Sequence, residues 1–275
     1  MLLRRFFAAI AVAASTSIPL LAAEPVKLPS LEPIKTDAEI KPVAAKVVVV
    51  ENVVVGKDAF PKAMAAANAA YAKTRDYSAY MVREERVDGK LLPAQTAELR
   101  VRCEPFSLYS RTVAPKALLG QELAFVSGRK EDMVRVKLAG TAGGSGFQSV
   151  ELTDAKASVD SKYGVTGTGI GAVLKRIDSA LEAEKTAKTK PEFLVADYEF
   201  DGKACTRFDV ICERSHTGRF AAKFVVYFDS KTALPVRFEA YDQPKKGNSE
   251  GELLECVSFV SLKFNSGLGD GVFDK

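Results

Sequence analysis

The chain has 275 residues, with 39 Lys and Arg against 35 Asp and Glu, one histidine and four cysteines. A net charge of +4 without a clustered basic stripe argues against a nucleic-acid partner. A single histidine also removes most Ser–His or Cys–His nucleophile arrangements and most zinc ligand sets.

Arg4 and Arg5, an apolar run from Phe6 to Leu21, and Ala22-Ala23 ahead of Glu24-Pro25 have the layout of a secretory signal peptide. The reading places cleavage after Ala23. Pro19 and the shortness of the run weaken the alternative of an uncleaved anchor. The first cysteine is Cys103, so a lipid-anchored N-terminus is not indicated. Both leader arginines count toward the +4, so the exported part carries +2.

Residues 24–57 read as a linker, with Pro25, Pro29, Pro33 and Pro42 and no helical period. The run Val47 to Val55, VVVVENVVV, is strongly β-prone. It either docks as an added edge strand or remains an extended tether, and the tether is favoured. Residues 58–275 then form one domain.

Asp58 is placed to cap a helix in which Phe60, Met64, Ala67 and Tyr71 fall at helical spacing. Strands are predicted at Tyr77 to Val87, Ala97 to Cys103, Phe106 to Thr112, Gln121 to Val126 and Asp132 to Leu138, the pattern of an antiparallel meander. The glycine-rich segment 139–147 interrupts them. Ile170, Val173, Leu174, Ile177 and Leu181 then predict an amphipathic helix, followed by a charged, solvated stretch over 182–190. Strands resume at Phe193 to Phe200 and Cys205 to Cys212.

Phe220 to Asp242 forms a long hairpin in which Phe220, Ala222, Phe224, Val226 and Phe228, and then Leu234, Val236, Phe238 and Ala240, alternate with other residues. One face is therefore dry and the other wet or half covered. A last strand spans Leu253 to Phe264. About ten strands and two substantial helices result, with strands on both sides of the central helix, as in a single α+β domain.

Cys205 and Cys212 lie seven residues apart on one strand, about 23 Å if it is straight, so they cannot pair with each other. The complete pairings left open are Cys103–Cys205 with Cys212–Cys256, or Cys103–Cys212 with Cys205–Cys256. Four buried free thiols are an equal alternative.

No enzyme is predicted. His216 sits in a turn, no G-x-S-x-G surrounds a serine, and no metal-ligand spacing occurs. The glycines of YGVTGTGIG, 163–171, miss the phosphate-loop spacing and are read as allowing a helix to pack tightly on a sheet. Glu84 and Glu85, between Arg83 and Arg86, read as a salt-linked sheet edge or rim. The remaining candidate is the apolar face: Phe220, Phe224, Val226, Phe228, Val236, Phe238, Val257 and Phe259, with Ile170 and Leu174 of the central helix above them. It is first of all a core, and a ligand cleft only if helices fill it partly.

ERVDGK at 85–90, RCEPFSLY at 102–109, GQELAFVSG at 120–128 and LPVRFEAYD at 234–242 resemble the DUF1571 family of exported bacterial proteins. The domain is also similar to the LolA/LolB and RseB-like group. That resemblance implies a single strongly curved antiparallel sheet, a half-barrel, with helices covering its concave face. It implies a periplasmic or envelope protein that binds a lipid, an acylated protein or another apolar ligand. The competing reading is a regulatory module that binds an envelope protein and has a filled core. No cofactor is expected, attachment to the membrane is peripheral at most, and the protein is expected to be a monomer.

Overall fold

The computed structural model describes residues 54–140, 146–158, 161–212 and 219–275. In chain order these form β1 (Val54–Val55), α1 (Ala59–Ala72), β2 (Asp76–Val87), β3 (Lys90–Leu91), β4 (Gln95–Arg102), β5 (Ser107–Ala114), β6 (Glu122–Val126), β7 (Val134–Lys137) and β8 (Gln148–Val150). The short α2 (Ala155–Ser158) and the long α3 (Ile170–Thr186) follow. After them come β9 (Glu192–Phe200), β10 (Lys203–Ile211), β11 (Lys223–Asp229), β12 (Pro235–Tyr241) and β13 (Leu253–Phe264).

The strands make one antiparallel sheet in the order β1-β9-β10-β11-β12-β13-β2-β4-β5-β6-β7-β8, with β3 paired to β2. Its ends, β1 and β8, are not joined, so the sheet is open. The last strand in sequence, β13, lies between β12 and β2 and stitches the two meanders together.

Alternation decides the inner face. Tyr77, Ala79 and Met81 of β2, Leu99 and Val101 of β4, Phe224, Val226 and Phe228 of β11, and Val257 and Phe259 of β13 join one apolar cluster. Phe60 and Met64 of α1 and Ile170, Val173, Leu174 and Ile177 of α3 belong to the same cluster. So do Val134 and Val136 near one end of the sheet and Phe208 and Val210 near the other. A sheet whose distant strands meet around the same two helices must curve about them, as strand twist allows.

Several expectations are corrected. The favoured tether ends in an edge strand: Val54 pairs with Val195 and Val55 with Leu194. Residues 47–53 of the valine run lie outside the described residues. Asp58 holds the N-cap position without a side-chain cap. The carbonyl of Gly56 instead accepts from Ala59 and Phe60 N–H, both at 3.0 Å, because the edge strand runs straight into the helix. The charged stretch 182–190 begins inside α3. Glu184 continues the stripe of Ile177 and Ala180 and is buried, where its carboxylate accepts from the Thr189 hydroxyl.

Strand β2 is not an edge or rim; it lies between β13 and β4. Of the two alternatives for the outer face of the hairpin, wet or half covered, the second holds, since Val225, Tyr227 and Asp229 are buried there while Lys223, Arg237 and Tyr241 are partly exposed. Arg207 lies 5.9 Å from the Tyr198 ring and 5.7 Å from that of Tyr227, while Asp209 holds it by bonds of 2.6 and 2.7 Å. Arginine planes over tyrosines thus make a second, mixed layer. Farther along the sheet, the chain after β13 folds back on the outside of β5 and β6. Leu268, Val272 and Phe273 pack there with Tyr109, Ala124 and Val126. The buried Asp76 carboxylate fixes the turn, accepting from Ser266 N–H at 2.7 Å and Gly267 N–H at 3.1 Å.

All four cysteines are free thiols. Cys212 joins the inner cluster and Cys103 packs against it, whereas Cys205 and Cys256 lie outside it.

Candidate functional site

Strand register and helix cover bring most of the predicted apolar residues together. Phe224, Val226, Phe228, Phe238, Val257 and Phe259 share one cluster with Ile170 and Leu174. Phe60 of α1 fills its middle, with its ring 5.2 Å from Phe208, 6.5 Å from Phe224 and 6.4 Å from Phe228. Phe224 and Phe238 are each only 1% exposed, so this part of the face is a packed core. Val236 departs from the expectation. A bulge shifts the β11–β12 register between Tyr227 and Phe228, and Val236 is buried outside the main cluster. Phe220 precedes β11 and is half-buried, packed against the cluster from its border.

The glycines before α3 determine how closely that helix approaches the sheet. Gly169 has φ +98°, a conformation open mainly to glycine, and a Cβ there would stand 2.4 Å from the Tyr77 hydroxyl oxygen. That hydroxyl accepts the N–H of Ile170 at 2.8 Å. At Gly171 a Cβ would meet the Tyr71 hydroxyl, also at 2.4 Å. Burial holds the Tyr77 phenol well above its ordinary pKa, so it is a neutral partner for the helix start. The glycine run therefore serves close packing, and Tyr77 already occupies the first N–H of α3.

Beside α3 the core comes to the surface. A cleft of about 320 Å³ opens between α3, residues 163–167 and Phe220. From it an aromatic series runs inward: Phe220 stacks on Phe238 at 6.2 Å, and Phe238 meets Phe224 at 6.1 Å. A separate hollow of about 30 Å³ near Met81, Arg83 and Gln95 has room for about one water.

The other wall of the cleft is ionic. The Arg176 guanidinium lies 4.2 Å from the Tyr163 ring centroid and donates through Nη1 to the Gly167 carbonyl at 2.9 Å. Its Nε is 3.3 Å from Glu255, and Lys162 Nζ is 3.1 Å from the same carboxylate. The Arg176 contact is ionic in distance but undirected, since its Nε completes no hydrogen bond among the described residues. Burial, followed by the negative charge of Glu255 and a hydrogen bond to it, pushes the Tyr163 phenol upward. Glu85 lies opposite Glu255 in the β2–β13 register and accepts from Ser161 Oγ at 3.1 Å and Lys162 N–H at 3.0 Å. Like charges at facing positions destabilise a sheet, so Lys162 and Arg176 offset a cost built into the strands.

The sequence held a partial signal for this cluster. Glu85 keeps phase with Tyr77, Ala79 and Met81, and Glu255 with Val257 and Phe259, so alternation alone puts both carboxylates on the inner face. Their pairing depends on β13 lying beside β2, which no local pattern reveals.

Little chemistry is poised elsewhere. Among the described residues no group of three His, Cys, Asp or Glu side chains could hold a metal ion, and His216 lies outside the described residues. Burial pushes the Cys212 thiol up to about 12, with Glu184 adding to it, and the Cys256 thiol to about 12. Such thiols are poor nucleophiles. Among the described residues no helix is long and apolar enough to cross a membrane.

Residues 74–275 match the profile of a family described as "Protein of unknown function (DUF1571)". Comparison with curated proteins by sequence finds no match. Among solved structures, the chain is similar to a putative outer membrane lipoprotein-sorting protein domain from Vibrio parahaemolyticus, at 14% identity and TM-score 0.37, covering 78% of this chain and 97% of that one. It is also similar to a LolA superfamily protein from Nitrosomonas europaea, at 10% identity and TM-score 0.32, covering 81% and 98%. A third is the MucA/MucB complex of Pseudomonas aeruginosa, at 15% identity and TM-score 0.42, covering 78% and 61%.

Proposed function

Because the chain belongs to the DUF1571 family, described only as of unknown function, its role has to come from its own residues, and we propose that it is a non-enzymatic, exported envelope protein that binds a single apolar chain. The ligand enters at the cleft beside α3. The carrying observation is that cleft: about 320 Å³, at the low end of small-molecule sites, at the one border where the half-buried Phe220 leads into Phe238 and Phe224. Deeper binding replaces contacts of α3 with contacts of the ligand. At about 0.8 kcal/mol per buried methylene, eight carbons gain roughly 6 kcal/mol before ordering costs. Export rests on the leader-like residues 1–23.

One observation favours a second reading, a regulatory module that binds an envelope protein. Phe224, Phe238 and Phe259 are each only 1% exposed, as in a filled core that needs no guest.

Titration of the full chain, produced with its own leader, with a fluorescent fatty-acid probe tests the first reading. Phe220→Asp is expected to abolish saturable binding while the protein keeps its thermal transition. Binding by this variant equal to that of the parent would remove the cleft from consideration. Probe binding by neither would leave the filled-core reading.

A further inference from the structure

We propose that the cleft beside α3 selects an amphiphile with an anionic head, which Arg176 and Lys175 receive while its chain lies against Phe220. This rests on the reading that the cleft takes an apolar chain.

The charge around the cleft is one-sided. Among the described residues, the ionic ones in its walls are the cations Lys175 and Arg176, and the nearby hydroxyls of Thr166 and Ser179 are neutral. Two carboxylates that contact this wall, Glu255 of β13 and Glu85 of β2, are 2% and 8% exposed. Glu85 is engaged by Ser161 and the Lys162 backbone, and the single charge of Glu255 is shared by Lys162 and Arg176. Lys175 is exposed on the solvent side of α3.

Arg176 is held in place with hydrogen-bonding capacity unspent. Stacking on Tyr163 and the Nη1 bond to Gly167 fix its plane. Nε is buried against Glu255, and Nη2 makes no hydrogen bond to a described residue. The almost wholly buried Glu255 is engaged by Lys162, Arg176 and Tyr163. Nε is buried and faces Glu255, so the guanidinium meets the cleft through Nη2, whose direction the contact with Tyr163 and the Gly167 bond fix. An incoming anion would accept from Nη2, and Lys175 would add a mobile second cation. A neutral head could fill a hydrogen bond but could not balance these charges.

Displacement of a bound fluorescent fatty-acid probe from the full chain by matched fourteen-carbon ligands tests this. The ligands are myristate, its methyl ester, and the lysophosphatidic acid carrying the same chain. Both anions are expected to bind at least about tenfold more tightly than the ester. The ratio between them tells whether the natural head is a free carboxylate or a lipid phosphate. Lys175→Gln, which breaks no hydrogen bond or ion pair among the described residues, should weaken the anions several-fold and leave the ester unchanged. Lys175→Gln with Arg176→Gln should bring all three ligands within about twofold of one another. Arg176→Lys, keeping the charge without the fixed planar donor, should fall between. Equal binding of ester and myristate by the parent would overturn the anionic head and leave the apolar cleft standing. A parent that binds neither the probe nor any ligand would overturn both.

Discussion

Replacing Gly169 by alanine should loosen the whole cover of the concave face, because this residue sets the distance between α3 and β2. Two costs add. The backbone at φ +98° and ψ 179° lies in a region essentially reserved for glycine, worth about 1–3 kcal/mol for any other residue. The new methyl would also stand 2.4 Å from the Tyr77 hydroxyl, so the bond from Ile170 N–H must stretch or break, at about 1 kcal/mol. A loss of about 2–4 kcal/mol, at a urea slope of about 3 kcal/mol/M, lowers the denaturation midpoint by roughly 1 M. Far-UV circular dichroism of the full chain in urea reads this directly. Tyr77→Phe separates the two costs: alone it leaves the Ile170 N–H unsatisfied, but in the double variant it also removes the atom the methyl strikes. The two changes should therefore cost less together than the sum of the singles. A midpoint for Gly169→Ala within about 0.2 M of the parent would refute this account of the glycine.

The four free thiols should resist labelling while the protein is folded. With Cys205 pushed to about 11 and Cys212 and Cys256 to about 12, all chiefly by burial, a maleimide at mildly alkaline pH should modify at most the half-buried Cys103, and all four after unfolding. Rapid loss of more than one thiol in the native state would contradict these positions. Acid should release the C-terminal segment: bonds from Arg102 and Arg129 hold Asp270 at about 2, below its ordinary 3.8. A depressed carboxylate stabilises fully above its unfolded pKa and loses that contribution as pH falls through its folded one. Asp270→Asn should therefore be less stable than the parent near neutrality and indistinguishable from it below about pH 2. A difference that persists there would exclude the ion pair as its cause.

Much of this molecule could be read from local pattern. Phe224, Val226 and Phe228 announce a dry face by their period of two, and Phe60, Met64 and Ala67 a buried helix stripe by theirs, since both periods are fixed by backbone geometry. The glycines before α3 were legible as close-packing residues, although the tyrosines they approach were not. What escaped depends on distant strands. β13 finds its place between β12 and β2 only in three dimensions, so the facing of Glu85 and Glu255, and the role of Lys162 and Arg176 beneath the loop, could not be read from any window of sequence. Val236 was misplaced because a bulge moves one residue out of phase while the amino-acid pattern stays regular. The outer layer of Arg207 with Tyr198 and Tyr227 was missed because a polar face reads as solvated, though arginine planes and tyrosine rings can bury each other.

The most direct test of a guest beside α3 is lipid mass spectrometry of the full chain, produced with its own leader and purified without detergent. The account predicts a stoichiometric single-chain amphiphile in extracts of the parent and its loss from Phe220→Asp. A parent preparation with no acyl species, folded and unresponsive to added fatty acid, would contradict it and leave Phe220, Phe238 and Phe224 holding only one another.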